Sequence, residues 1–281
     1  MKTIRAIDFD RKLIARDDLP LYGKRVLFTS PRNYAVPLGQ LLIQRGARPV
    51  WMPTIEIWPM PDYDELDQVI KNLSDYDWLA FSSENGIEPF CSRLTALGLD
   101  ASAITRAGTK IAAFRMDSLV LEKAGLSPDL IPREMSTGGV IEEFRNRGIT
   151  NGSVIVPCPR VSGVVEPYVI PQFISDFENL GMTAKRLEVY RTMAVEEIGP
   201  VEKELLLNEK IDICIFTSSG EIFSFLNHLQ DRLDIVNKSV VAYMGSFTSK
   251  TGGEVGLNVD IVPENFTMRG LLEALEAYYR A

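Results

Sequence analysis

The sequence predicts an α/β fold made of two similar lobes, each built on a parallel sheet. Two observations carry this. Short, almost continuously apolar runs end in Ser, Thr, Pro or Gly and alternate with amphipathic stretches. Strands buried on both faces and followed by helices read this way. The chain also repeats itself at offsets of 128, 135 and 131 residues. Units of that size mean two lobes rather than a solenoid of short repeats.

In chain order, strands are read at Val26–Phe28, Trp78–Phe81, Lys110–Ala113, Ser153–Val156, Ile211–Phe216 and Val240–Tyr243. Helical spacing marks Leu38, Leu41, Leu42 and Arg45 after the first strand, and Leu271, Leu272, Leu275 and Tyr278 near the end. In the repeat, Val26–Arg32 matches Val154–Arg160, Asp77–Phe90 matches Asp212–Phe225, and Leu130–Phe144 matches Ile261–Leu275. Two extended stretches, Pro53–Pro61 and Leu187–Met193, follow corresponding β-α-β segments. They are read as chain crossings near 54–61 and 188–194. The first lobe is then discontinuous, residues 1–57 plus 194–281, and the second is 62–187, with a ligand cleft between them. Residues 1–20 read as a charged extension.

Composition removes several classes of function. Hydrophobic residues are 46% and charged residues 24% of the 281, the balance of a globular chain. Thirty basic against 38 acidic residues give −8 and no basic patch, which argues against general nucleic-acid binding. No apolar run approaches the ~18 residues of a membrane span. The opening MKTIRAIDFDRKLIARDD is charged where a signal peptide needs its apolar core, so a cytoplasmic location is expected. One histidine and three cysteines without paired spacing leave no Cys/His metal site and no disulfide framework. His228 falls off the stripe formed by Ile222, Leu226 and Leu229 and reads as a solvated surface residue. Gly245–Thr251 lacks the glycine before Lys250 and is one residue short of a phosphate loop, and no G-x-G-x-x-G occurs. An enzyme built from this chain works without histidine, metal or nucleotide.

What remains are hydroxyls at strand ends. Phe28-Thr29-Ser30, Phe81-Ser82-Ser83-Glu84-Asn85-Gly86 and Phe216-Thr217-Ser218-Ser219-Gly220 each end a strand where a helix starts. Unpaired N–H groups and the helix dipole make that place receptive to anions. Plain N-capping by the same residues is the alternative. Two matched copies in facing lobes favour the ligand reading. Tyr190, in a crossing stretch beside Arg191 and Thr192, either packs with its hydroxyl wet or faces the cleft. There it would be the best available proton donor.

Together these motifs resemble the uroporphyrinogen-III synthase family over residues 24–280. The resemblance rests on Trp78-Leu-Ala-Phe-Ser-Ser-Glu-Asn-Gly-Ile87, Leu187-Glu-Val-Tyr-Arg-Thr192, Ile215-Phe-Thr-Ser-Ser219 and Val241-Ala-Tyr-Met-Gly-Ser-Phe-Thr248. It implies two flavodoxin-like lobes joined by a two-stranded linker. It also implies cyclisation of the linear tetrapyrrole hydroxymethylbilane, with loss of water, inversion of the last pyrrole ring and no cofactor. It assigns Tyr190 as general acid and Ser83, Asn85, Thr217, Ser218, Ser219 and Thr248 as substrate-binding residues. Ser30, Arg115 and Thr137 are secondary candidates. A monomer is expected, with no nucleic-acid or membrane partner. The chain departs from the family at Arg115 and Ser118, where a glycine and a threonine are common, and at Phe28-Thr-Ser-Pro-Arg32. Two alternatives therefore stay open: a diverged paralogue that binds a tetrapyrrole-like polycarboxylate without cyclising it, and an unrelated two-lobed small-molecule binding protein.

Overall fold

Apolar strands and amphipathic helices alternate along the chain as the sequence requires. The computed structural model describes residues 19–229 and 232–280; most of the charged extension lies outside the described residues. Two compact units form. Unit one takes the described residues up to Thr54 and those from Glu196 onward, and unit two is Ile55–Val195.

Unit one contains β1 (Arg25–Phe28), α1 (Arg32–Gln44) and β2 (Arg48–Trp51) from the first segment. The second segment supplies α8 (Pro200–Leu207), β8 (Ile213–Phe216), α9 (Ser219–Leu229), α10 (Leu233–Val236), β9 (Val240–Tyr243), α11 (Ser246–Glu254) and α12 (Met268–Arg280). Its sheet runs β2-β1-β8-β9, all parallel, and a parallel bridge from Ala242 to Ile261 adds a fifth position. Alternate strand residues serve opposite faces. Phe28, Ile213 and Ile215 meet Leu38, Leu42, Leu271 and Leu275 of α1 and α12. Leu27, Cys214 and Phe216 meet Leu206, Ile222 and Phe225 of α8 and α9. Each fully buried side chain of this size contributes roughly 1.5–3 kcal/mol.

Unit two holds β3 (Ile55–Pro59), α2 (Asp64–Lys71), β4 (Trp78–Ala80), α3 (Glu84–Ala96), α4 (Ser102–Ala107), β5 (Lys110–Ala112), a 3₁₀ turn at Arg115–Asp117, α5 (Ser118–Lys123), α6 (Thr137–Asn146), β6 (Ser153–Ser162), α7 (Val169–Asn179) and β7 (Thr183–Ala194). The sheet order is β3-β7-β6-β4-β5, with a parallel bridge from Ala112 to Leu130 beyond β5. All pairs are parallel except β3 with β7. Leu79, Phe81, Ile111 and Ile155 pack under α2 to α5 on one face. Trp78, Val154 and Val156 meet Phe144, Phe173 and Phe177 of α6 and α7 on the other.

The two stretches read as crossings are strands paired with each other: Ile55 stands opposite Ala194 and Pro59 opposite Tyr190. Residues 55–57, placed above in the first lobe, and residue 194 therefore belong to the sheet of unit two. Their backbones pair with each other.

Leaving out β3, each sheet has the doubly wound order 2-1-3-4-5. In unit one the positions are filled by β2, β1, β8, β9 and the bridge at Ile261. In unit two they are filled by β7, β6, β4, β5 and the bridge at Leu130. The three repeated segments fall on equivalent positions.

Candidate functional site

In a doubly wound sheet, ligands bind beyond the carboxyl ends of the strands where the order reverses. That point lies between β6 and β4 in unit two and between β1 and β8 in unit one. The strand-end hydroxyls named from sequence stand at these places.

In unit two, Ser83 holds the N-cap position of α3 in extended conformation, but its side chain makes no cap bond. Its hydroxyl is instead within hydrogen-bonding reach of the Tyr190 phenol. The α3 start lies close to the β6 backbone: a Cβ at Gly86 would sit 3.2 Å from the carbonyl oxygen of Pro157. A bulge aims Tyr190. Cys158 of β6 pairs with Glu188, but Pro159 pairs with Tyr190, leaving Val189 as an extra residue in β7. Strict alternation would turn Val189 and Tyr190 to opposite faces, yet both lie in the core under α3. Tyr190 is 7% exposed. Burial pushes its phenol pKa up and Ser83 pulls against that shift, so the proton stays on oxygen at neutral pH.

Sequence reasoning missed Asp117, which is 7% exposed at the end of the 3₁₀ turn after β5. Burial pushes its carboxyl up to about 7, the negative Glu84 adds to this, and the backbone N–H groups of Glu84 and Phe114 oppose it. Asp117 Oδ2 and Ser118 Oγ are buried without a partner among the described residues. Arg115 is exposed, and its backbone N–H meets the Met135 sulfur at 3.4 Å. Thr137 is buried in the first turn of α6, where the neighbouring Ser136 hydroxyl caps the Gly139 N–H at 3.0 Å. Asn85 lies half-buried in the first turn of α3.

Unit one has a second buried carboxylate that the sequence reading missed. Glu221, 0% exposed in the first turn of α9, receives the Thr29 hydroxyl at 2.8 Å and the Thr217 N–H at 3.0 Å on Oε2. Its Oε1 receives the Thr217 hydroxyl and the Ser218 hydroxyl, the latter at 3.1 Å. Burial raises its pKa against these donors. The hydroxyls of Thr217 and Ser218, read as substrate-binding, are thus bonded to a carboxylate of the protein itself. Ser219 Oγ lies 2.8 Å from Thr251 Oγ1. Thr248 is buried in α11. Ser30 is fully buried, and its hydroxyl has no partner among the described residues.

His228, read as a solvated residue, is half-buried near the end of α9. Its backbone carbonyl accepts the Lys203 ammonium at 3.2 Å. Burial raises the Cys158 and Cys214 thiols to about 12 and Cys91 to about 11, which leaves them poor nucleophiles at neutral pH. Among the described residues, no group of three or more His, Cys, Asp or Glu is placed to hold a metal ion. No described helix is long and apolar enough to cross a membrane.

Fold and strand ends define a tandem flavodoxin-like α/β protein with hydroxyl-rich switch points. Residues 37–273 match the family model described as uroporphyrinogen-III synthase HemD, and the chain belongs to that family. The uroporphyrinogen-III synthase of Synechococcus elongatus is 26% identical over 270 residues, covering 93% of this chain and 97% of that protein. The one from Chlorobaculum parvum is 26% identical over 245 residues, covering 86% and 94%. The porphyrin biosynthesis protein HemD of Ruminiclostridium josui is 25% identical over 258 residues, 91% of this chain, and the chain spans 49% of its length. A crystal structure of a mutant uroporphyrinogen III synthase from the extremely thermophilic bacterium Thermus thermophilus shares the fold, with a TM-score of 0.60 at 18% identity over 91% of this chain and all of that one.

Proposed function

We propose that the chain catalyses the uroporphyrinogen-III synthase reaction of porphyrin biosynthesis: hydroxymethylbilane is cyclised with loss of water and inversion of its terminal pyrrole ring. The family match over residues 37–273 carries this reading. It disfavours an unrelated small-molecule binding protein and a diverged binder that does no cyclisation.

The chemistry asks for a proton on the departing oxygen and for a fold of the substrate that brings its ends together. Tyr190 supplies the proton: its phenol is protonated at neutral pH, and the Ser83 hydroxyl beside it works against the burial that weakens it as an acid. Loss of water leaves an azafulvene on the first ring. The substituted carbon of the last ring attacks it, and the resulting spiro intermediate fragments and recloses with that ring inverted. The proton lost at aromatisation balances the one donated. Holding the ends together provides much of the acceleration, because ring closure is an orientation problem.

A polycarboxylate meets a chain of net charge −8, so local donors must hold it rather than long-range attraction. Asn85 and Thr248 have that role; Ser83, which donates to Tyr190, and Ser219, which donates to Thr251, offer their oxygens as acceptors. Thr217 and Ser218 donate hydrogen bonds to Glu221; Ser218 Oγ also accepts the Glu221 N–H at 3.4 Å, and the Thr217 oxygen is left as an acceptor suited to a pyrrole N–H. Ser30, with its unpartnered hydroxyl, joins the donors; Arg115 and Thr137 contribute at the rim of unit two. The enzyme acts as a cytoplasmic monomer without a metal or organic cofactor, and sedimentation of the active protein checks its monomeric state. The decisive experiment incubates the purified chain with hydroxymethylbilane and measures the ratio of type III to type I product. Type III product should predominate. Type I product alone, at the uncatalysed rate, sinks the reading.

A further inference from the structure

The reaction outlined above leaves one buried carboxyl of unit two unused. Asp117 Oδ2 has no partner among the described residues, and neither has the adjacent Ser118 Oγ. A polar atom buried in that state goes without the bond it would make in water, so the native fold holds an unmet hydrogen bond here. The carboxyl lies against the first turn of α3, a helix of 13 residues, where the backbone N–H of Glu84 holds it. Glu84 follows Ser83, the partner of Tyr190. One helix start therefore gathers the proposed proton donor, its hydroxyl partner and a nine-tenths-buried carboxyl with a free oxygen.

We propose, resting on the tetrapyrrole reading above, that Asp117 is a proton-gated substrate-binding residue. Its neutral carboxyl donates from Oδ2 to a substrate carboxylate, and its ionised form turns the same carboxylate away. A neutral acid has an O–H to give, whereas an ionised one only accepts. Two ionised carboxylates in a buried place repel each other. The titration near 7 puts the change inside the working range. The charged neighbour acting on Asp117 is Glu84. The other ionisable groups on the surrounding elements are Tyr190 on β7, Glu88, Cys91 and Arg93 on α3, Arg115 on its own turn, and Glu122 and Lys123 on α5. Arg133 and Glu134 lie on the loop that Arg115 touches through Met135. Arg93 is committed to Asp67. The substrate's own carboxylates, with ordinary pKa values, are ionised throughout this range.

The test measures KM and kcat for hydroxymethylbilane from pH 6 to 8.5. In the wild-type chain, KM should rise up to about tenfold per pH unit above the Asp117 titration while kcat changes less. Asp117→Asn keeps a donor at every pH and should flatten that rise. Asp117→Ala should be equally flat, with KM raised about tenfold at pH 6. A merely structural Asp117 would leave the wild-type slope in both variants, and that result overturns the proposal. Should the variants fail to fold, calorimetric binding of the type III product to wild-type protein, repeated in buffers of different ionisation enthalpy, decides the matter. About one proton should be taken up at pH 8 and almost none at pH 6; no uptake at pH 8 defeats the idea. If wild-type chain makes type III product but these signatures are missing, this proposal alone fails. If it makes none, the tetrapyrrole reading fails with it.

Discussion

A methyl group at Gly139 would strike the carbonyl oxygen of Glu134, and one at Gly270 would strike that of Asn265. The two glycines occupy the third position of α6 and α12 at equivalent points of the repeat. Each gives its N–H to a capping hydroxyl, Ser136 in one unit and Thr267 in the other, at 3.0 Å. Gly139→Ala and Gly270→Ala should each cost about 1–3 kcal/mol in urea unfolding, because backbone rather than a flexible side chain must give way. Tyr190→Phe is a different kind of change. It keeps the ring and its packing, so the melting temperature should hold while kcat falls about a hundredfold, the low end for lost general acid catalysis. An unchanged rate would remove Tyr190 from the chemistry. Asp117 affects stability as well as binding. Its carboxyl pKa rises from 3.8 unfolded to about 7 folded, so the folded state holds the proton more tightly. The stabilisation is complete below pH 4 and is lost as the pH climbs through 7. Asp117→Asn should accordingly gain on the order of 2–4 kcal/mol over wild type between pH 4 and pH 8, read from paired urea titrations.

Glu221 shows how one residue can join several elements. It binds the ends of β1 and β8 through Thr29 and Thr217, and its carbonyl takes the Thr54 hydroxyl at 3.1 Å. Ser224 of the same helix returns a bond to the Thr54 carbonyl at 2.5 Å. Glu221→Ala would leave the Thr29, Thr217 and Ser218 donors facing a void and should cost about 2–3 kcal/mol, seen as a lower denaturation midpoint. The apolar strands β1, β4, β5, β6, β8 and β9 could be read from the sequence because both faces of each are buried. β2 was visible only as the end of a β-α-β segment, since Arg48 and Pro49 give it the pattern of an exposed edge. β7 was visible only from Leu187 onward, because its first residues, Thr-Ala-Lys-Arg, have no apolar signature. Strand-end hydroxyls could be found from residue type and position. Glu221 and Asp117 could not. An acidic residue in the first turn of a helix reads as a surface charge favoured by the dipole, and only the tertiary fold reveals that it is buried. The bulge at Val189 was equally hidden, because it arises from register with β6 rather than from any local residue.

Across the whole molecule, the same sheet order is reached from two different starting points along the chain. Unit one runs through its positions in sequence order, interrupted once; unit two begins with its third position and ends with its second. The chain as a whole carries one histidine and three scattered cysteines, so turnover should be unchanged by EDTA. Loss of activity on chelation, restored by a metal, would refute that. The pairing of Ile55 with Ala194 has a consequence for how this polypeptide can be cut. The chain leaves unit one and returns to it through adjacent strands, roughly 5 Å apart. Residues 55–195 thus behave as a cassette whose two ends lie side by side. A gene fragment for the cassette alone should give a protein with one cooperative urea transition. The host, rejoined from Thr54 to Glu196 by a few glycines, should fold without it, so the molecule can be separated into the halves from which a duplication would have built it.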